Sequence, residues 1–279
     1  MSQRDTCAVE RDALACDASL ARRIADAGHD WIVPVWDAPS GVRAFVTTRN
    51  GGVGRGASAS LDVGHASLDD TPADDRPVIA ENRRRVQAFL PSPPVWLSQV
   101  HGRDVACIGS EANAALPRAD AAVTRETNVV LAIRVADCMP VLLADRDGCV
   151  VAAVHAGWRG LAAGVLENTL SAMRCDPARI VAWLGPAIGR GAFEVGADVR
   201  DAFVGCDPRA HRAFVVKSPG KWLCDLETLA RMRLAQAGVR PVAGGGLCTY
   251  SDRGRFFSYR RDGTTGRMAA FVWRVASPQ

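Results

Sequence analysis

NVVLAIRVADCMPVLLADRDGCVVAAVHAG, residues 128–157, contains three apolar runs, 128–138, 139–145 and 149–157, and the first and last close on Cys138 and on His155 with Ala156 and Gly157. Each run is too short for a long helix. All three are rich in Val, Leu, Ile and Ala, and none alternates apolar with polar residues. Continuous apolar character over this length predicts strands of a sheet that is covered on both faces. The same character recurs outward in VRAFVTT (42–48), PPVWLSQVHG (93–102), RIVAWLG (179–185) and MAAFVWRV (268–275), each read as a strand. Between them, GLAAGVLENTLSAMR (160–174) sets Leu161, Val165, Leu166, Thr169, Leu170 and Met173 on one helical stripe, and Cys175-Asp176-Pro177 stops it. A second helix is expected from Asp225 to Ala237, ended by Gly238. The fold class is therefore α/β, mixed α+β, with layered sheet and flanking helices in a single domain over 31–279. Residues 1–30 form an N-terminal extension, helical or frayed, with Leu14, Leu20 and Ile24 at roughly helical spacing.

With 48% hydrophobic residues in 279, the chain can bury a substantial core. The net charge of +4 is dispersed, and its local concentrations are Arg83-Arg84-Arg85 and the stretch from Arg253 to Arg261, so nucleic acid is not an expected partner. No apolar run approaches the roughly 18–20 residues of a membrane helix, and the N-terminal segment lacks the apolar centre of a secretory signal, so a cytoplasmic protein without membrane contact is expected. Nine cysteines at irregular spacing, without a CxxC pair, do not form a disulfide framework. Most of them fit as small buried hydrophobes.

Three segments share one construction, an apolar run that ends in a reactive side chain beside glycine or a turn: Ser98-Gln99-Val100-His101-Gly102, Ala136-Asp137-Cys138-Met139-Pro140 and Val154-His155-Ala156-Gly157-Trp158-Arg159-Gly160. Functional groups commonly project from strand ends, where loops open the backbone to ligand. His101, Cys138 and His155 could form an N2S site for zinc with one coordination position open. Their separations match no local metal-ligand spacing, and a lone His or Cys is more often a packed, hydrogen-bonded residue. A Cys138 nucleophile with His155 as its base is a third alternative, and spacing does not separate these. Arg159, where the AGWRG turn enters a helix, is a candidate phosphate ligand, against the alternative of a solvated loop arginine. Arg49, in Thr48-Arg49-Asn50-Gly51-Gly52, is a second candidate, against a plain glycine turn. In the C-terminal stretch 248–273, Phe256 and Phe257 are expected in the core rather than stacked on a base. Asp137 would point away from Cys138 and is not expected to carry protons.

The ordered set TTRNGGV (47–53), SQVHG (98–102), ADAAVT (119–124), VADCMPVLLAD (135–145), AAVHAGWRG (152–160), LGPAIG (184–189), FEVG (193–196) and FFSYRRDGTTGRMA (256–269) resembles the laccase-domain, multicopper polyphenol oxidase-like family over residues 31–275. The resemblance implies a layout similar to the catalytic domain of cytotoxic necrotizing factor, with His101, Cys138 and His155 converging on one pocket as zinc ligands, copper being the alternative ion. It implies purine nucleosides and inorganic phosphate as partners, in a monomer or small homo-oligomer. The activities implied are purine nucleoside phosphorylase, adenosine deaminase and methylthioadenosine phosphorylase, a glycosyltransferase and hydrolase combination. One branch of the family is described as a peptidoglycan editing factor, so a metal- or Cys-dependent amidase acting on peptidoglycan precursors is the alternative, with a non-catalytic envelope partner as a third. The copper polyphenol oxidase label fits less well, because several copper centres need many more histidines than the five present. Departures from the family pattern, Arg190-Gly191-Ala192 after Gly189 and Val135 before Ala136, spare the three ligands and bear on the substrate pocket.

Overall fold

In β5 (Met139–Asp145) and β6 (Val151–Ala156) every residue is buried, and successive side chains enter two different cores. The computed structural model describes residues 18–109 and 116–276. Met139, Val141 and Leu143 of β5, with Ala152 and Val154 of β6, face a helical layer. Leu142, Ala144, Val151 and Ala153 face a second sheet. Because a strand's side chains alternate between faces, this double burial is what makes the sequence read as unbroken apolar runs.

The sheet that carries β5 and β6 has six strands in the order β11-β7-β5-β6-β3-β2, with β2 (Val105–Ile108), β3 (Ala121–Thr124), β7 (Ile180–Leu184) and β11 (Val242–Gly244). Its centre is antiparallel, and its two edge pairs, β2 with β3 and β11 with β7, are parallel. The facing sheet is antiparallel in the order β1-β12-β4, from β1 (Val42–Val46), β4 (Leu131–Val135) and β12 (Met268–Arg274). A small third sheet joins β8 (Glu194–Val195), β9 (Phe214–Ser218) and β10 (Lys221–Cys224).

Helix α1 (18–26) and α2 (Arg76–Gln87) cover the outer face of the three-stranded sheet, where Leu20, Ile24 and Val86 pack on Phe45, Phe271 and Trp273. On the far side, α3 (Trp158–Ala163), α4 (Val165–Met173), α5 (Ala197–Val204) and α6 (Leu226–Gln236) cover the six-stranded sheet. The order of layers is helix, sheet, sheet, helix. A short α7 (Tyr259–Asp262) precedes β12. Truncating Leu142, fully buried between the sheets, should therefore cost about 2–5 kcal/mol in Leu142→Ala. Urea unfolding measures this, and a loss under about 1 kcal/mol would contradict a close-packed intersheet core.

Several expectations change. Residues 93–102 make no strand: one isolated bridge joins Val95 to Leu131, Ser98 N–H turns to the Pro117 carbonyl, and the Gln99 side-chain amide replaces the ladder by bonding both N–H and C=O of Arg134, each at 2.9 Å. The strand lies just beyond, at β2. The expected helix over 160–174 begins earlier and breaks at Gly164, whose φ of 93° is left-handed. Helix α6 falls where Asp225 caps it, its carboxylate accepting from Thr228 N–H. In the N-terminal extension, residues 18–30 pack on the body through Leu20 and Ile24, while 1–17 lie outside the described residues. Among the described residues no helix is long and apolar enough to cross a membrane.

Candidate metal centre

His101, Cys138 and His155 come from three separate places in the sequence to one point. His155 sits in β6, Cys138 in the turn between β4 and β5, and His101 at the end of the 93–100 segment with a left-handed φ of 60°. One nitrogen from each ring and the Cys138 sulfur all lie within 4.8 Å of one another. The rings meet edge to face, 4.8 Å between centroids. Glycines make this approach sterically open. A Cβ on Gly157 would stand 2.8 Å from Cys138 Sγ and 3.3 Å from the His101 ring, and a Cβ on Gly160 would stand 2.6 Å from the Gly102 carbonyl oxygen.

Asp120, fully buried immediately before β3, joins the pieces. Its carboxylate accepts the backbone N–H groups of Val100 (3.1 Å), His101 (2.9 Å) and Gly102 (2.7 Å), and it bonds His155 Nδ1 at 2.8 Å. One side chain therefore fixes the loop of one ligand and the ring of another. Burial works against the Asp120 carboxylate, yet the bonds from His155 and the loop N–H groups hold it below the usual range. Burial likewise disfavours a charged His155, but the Cys138 sulfur and Asp120 push it up to about 9. The Cys138 thiol, against its own burial, is brought down to about 6 by the charge of His155 and by hydrogen bonds from both imidazoles. Cys224, also buried but beside Asp225, is pushed up to about 12 and is an ordinary core thiol.

In the metal-free protein a depressed thiol loses its proton as pH rises through about 6, so Cys138 is expected to be a thiolate at neutral pH. In chelator-stripped protein its ultraviolet thiolate absorbance should appear with a midpoint near 6, and in His155→Ala that midpoint should move upward. A wild-type midpoint in the usual range of about 8.5 would contradict the pairing.

The donor set fits a divalent zinc-like ion. His155 Nδ1 is engaged by Asp120, which leaves Nε2 for a ligand role, the usual carboxylate-histidine-metal arrangement. Two imidazoles and a thiolate are three protein ligands with room for a fourth. Among the described residues this is the one grouping of three or more His, Cys, Asp or Glu donors. Of the other histidines, His29 stacks on Trp31 at 4.1 Å and His211 bonds the Pro208 carbonyl, while His65 lines the cavity next to the three. Among the described residues this is one group of donors that could hold an ion, whereas a multicopper oxidase needs several.

The three ligands line a cavity of about 660 Å³, together with His65, Gln99, Arg134, Asp137, Trp158, Arg159, Phe193, Tyr259, Arg260 and Arg267 among others. Arg159 lies in it, over the Trp158 ring. Arg49 does not line it. Its guanidinium lies over Phe257 and bonds the Ala59 and Arg253 carbonyls, tying down the glycine turn. Asp137, at a φ of 101°, also lines the cavity, and its carboxylate accepts from Thr249 Oγ1 and the Arg260 N–H. Phe256 and Phe257 are fully buried, as expected, while their neighbours Tyr259 and Arg260 face the cavity. Sequence reasoning assigned no role to Asp120, Arg134 or Arg267. The usable signal was an aspartate opening a buried strand in ADAAVT and an arginine inside the apolar run LAIRV.

The family model described as multi-copper polyphenol oxidoreductase laccase matches residues 43–275. The purine nucleoside phosphorylase YfiH of Escherichia coli K12 is 50% identical over 246 residues, 88% of this chain and 98% of that protein. The purine nucleoside phosphorylase PA4543 of Pseudomonas aeruginosa is 49% identical, covering 87% of this chain and 98% of its own length. Among solved structures, the DUF152 protein NMB0706 of Neisseria meningitidis superposes with a TM-score of 0.83 at 46% identity, over 88% of this chain and all of that one. YlmD of Geobacillus stearothermophilus follows at 0.78 and 32%, over 87% and 97% of the two chains.

Proposed function

This chain belongs to the multi-copper polyphenol oxidoreductase laccase family, and from that membership and the chemistry of its site we propose that it is a purine nucleoside phosphorylase. The observation that carries the proposal is the meeting of His101, Cys138 and His155 in one cavity large enough for a nucleoside and lined by four arginines. In phosphorolysis an oxygen of inorganic phosphate forms a bond to C1′ of the ribose as the bond from C1′ to the purine nitrogen breaks, and the base leaves with a proton. Arginines suit this reaction because the attacking group is a dianion and the product, ribose 1-phosphate, is one too. Arg159, the arginine singled out in the sequence, is one of the four and lies over Trp158. Trp158, Phe193 and Tyr259 offer faces for the purine.

His101, Cys138 and His155 would hold zinc, or copper, and the bound ion would supply a Lewis acid that activates water or polarises a substrate oxygen. The further activities of this proposal, adenosine deamination and methylthioadenosine phosphorolysis, use the same cavity, deamination needing an activated water at C6 and methylthioadenosine cleavage only the phosphate and purine subsites. Within the site Asp120 bonds His155 Nδ1 and so orients the ring, leaving Nε2 toward Cys138 and His101.

Turnover of adenosine and inosine with and without phosphate, resolved by chromatography, tests the assignment. Hypoxanthine and ribose 1-phosphate from inosine, dependent on phosphate, are the expected products. Absence of base release from both nucleosides would overturn it and bring peptidoglycan precursors forward as substrates.

A further inference from the structure

The charge inside the cavity is uneven. Arg134, Arg159, Arg260 and Arg267 line it, against the single carboxylate of Asp137, whose two oxygens are already taken by Thr249 and the Arg260 N–H. Arg159 and Arg260 lie over aromatic rings, Trp158 and Phe193, and Arg260 also bonds the Glu194 carbonyl. Arg134 and Arg267 are different. Arg134 of β4 pairs with Ala269 of β12, and Arg267 stands just before the start of β12, two residues from that partner. Among the described residues neither joins an ion pair.

Arg134 is held rigidly, its two terminal nitrogens donating to the carbonyls of Gly64 (3.2 Å) and Leu97 (3.1 Å), while its buried Nε has no acceptor. Arg267 donates to the Thr265 and Gly266 carbonyls of its own loop. Its backbone N–H is fixed by Asp62 at 2.8 Å. Burial, then the like charges of Arg83 and Arg267, bring Arg134 down to about 10, with Asp62 and Asp70 only partly opposing them. Neutral carbonyls orient these guanidiniums without cancelling their charge. Half-buried guanidiniums that face the cavity, with no carboxylate in ion-pair contact, favour an anion beside them.

We propose that Arg134 and Arg267, with His65 beside them, form the subsite that holds the attacking phosphate, while Arg159 and Arg260 lie with the aromatic side chains at the nucleoside. This assignment rests on the phosphorylase reading of the cavity. It puts the oxyanion on donors fixed by the three-stranded sheet and the base among Trp158, Phe193 and Tyr259.

Two measurements on the metal-loaded full chain separate the subsite from the reaction. The first is calorimetric binding of inorganic phosphate, without nucleoside, to wild type, Arg267→Gln, Arg267→Lys and Arg159→Gln. The second is the KM for phosphate and for inosine in the same proteins. Arg267→Gln should weaken phosphate binding and raise the phosphate KM by about tenfold or more, with the inosine KM changed less than about twofold. Arg267→Lys should fall between, and it keeps the test open if the glutamine variant fails to fold. Phosphate binding that is lost in Arg267→Gln, in a wild type without phosphorolysis, would sustain the subsite and overturn the reaction. Phosphorolysis whose phosphate KM moves in Arg159→Gln but not in Arg267→Gln would overturn the subsite and sustain the reaction. A wild type that neither binds phosphate nor turns over inosine overturns both.

Discussion

Cys138→Ala is expected to lower kcat/KM for phosphate-dependent base release on the order of 1,000-fold and to bring the purified protein's metal content well below one per chain. The magnitude follows from the chemistry removed. A Lewis acid at the reacting groups is worth several kcal/mol, and each 1.36 kcal/mol is a factor of ten in rate. Alanine deletes the sulfur that the two imidazoles surround and leaves His101 and His155 as a two-nitrogen site, too few ligands for zinc. The variant should still fold: Cys138 lies in the turn between β4 and β5, outside the three cores. Elemental analysis beside steady-state kinetics checks both halves. Full activity with full metal content in the variant would remove Cys138 from the centre. The thiol-nucleophile alternative predicts a different pattern, in which wild type keeps its activity after chelation and dialysis while the alanine variant has none.

How legible this protein was depends on which physical signal each part leaves in one dimension. Strands β4, β5, β6, β7 and β12 could be read because both of their faces are buried, and a sequence without alternation records that directly. The second sheet could not be distinguished from the first, since pairing of β1 with β12 joins residues at opposite ends of the chain. The segment 93–102 carries the composition of a strand, yet Ser98 N–H goes to the Pro117 carbonyl and the Gln99 side-chain amide takes up the N–H and C=O of Arg134, a substitution that no periodicity reveals. The three candidate ligands stood out as reactive side chains at the ends of apolar runs. Their convergence did not, because β3 and β6 must first pair antiparallel before Asp120 can reach His155. Arg49 illustrates the opposite case. An arginine beside glycines suggests an anion site, but here its guanidinium is consumed by carbonyls of the neighbouring loops.

Asp120 provides the second large effect. Four donors converge on its two oxygens in a fully buried position, so removing it orphans three backbone N–H groups and the Nδ1 of His155 together. Breaking a buried charged network of this kind typically costs about 3–5 kcal/mol of stability. Loss of the carboxylate behind a metal-binding histidine typically costs about 10–100-fold in metal affinity or activity. Asp120→Ala should show both losses, by urea unfolding and by competition with a chelator for bound zinc. Asp120→Asn separates them. It preserves the shape and one acceptor oxygen, so much of the stability should return, but its amide nitrogen cannot accept from the loop or favour a charged or correctly oriented His155. The metal affinity of the asparagine variant should therefore stay low while its unfolding midpoint recovers. If zinc binds Asp120→Asn as tightly as wild type, the carboxylate supports the loop alone and the orientation of His155 comes from elsewhere in β6. The opposite result, weak metal binding in a stable protein, makes Asp120 a positioning residue of the metal centre, built into the same strand pairing that assembles the six-stranded sheet.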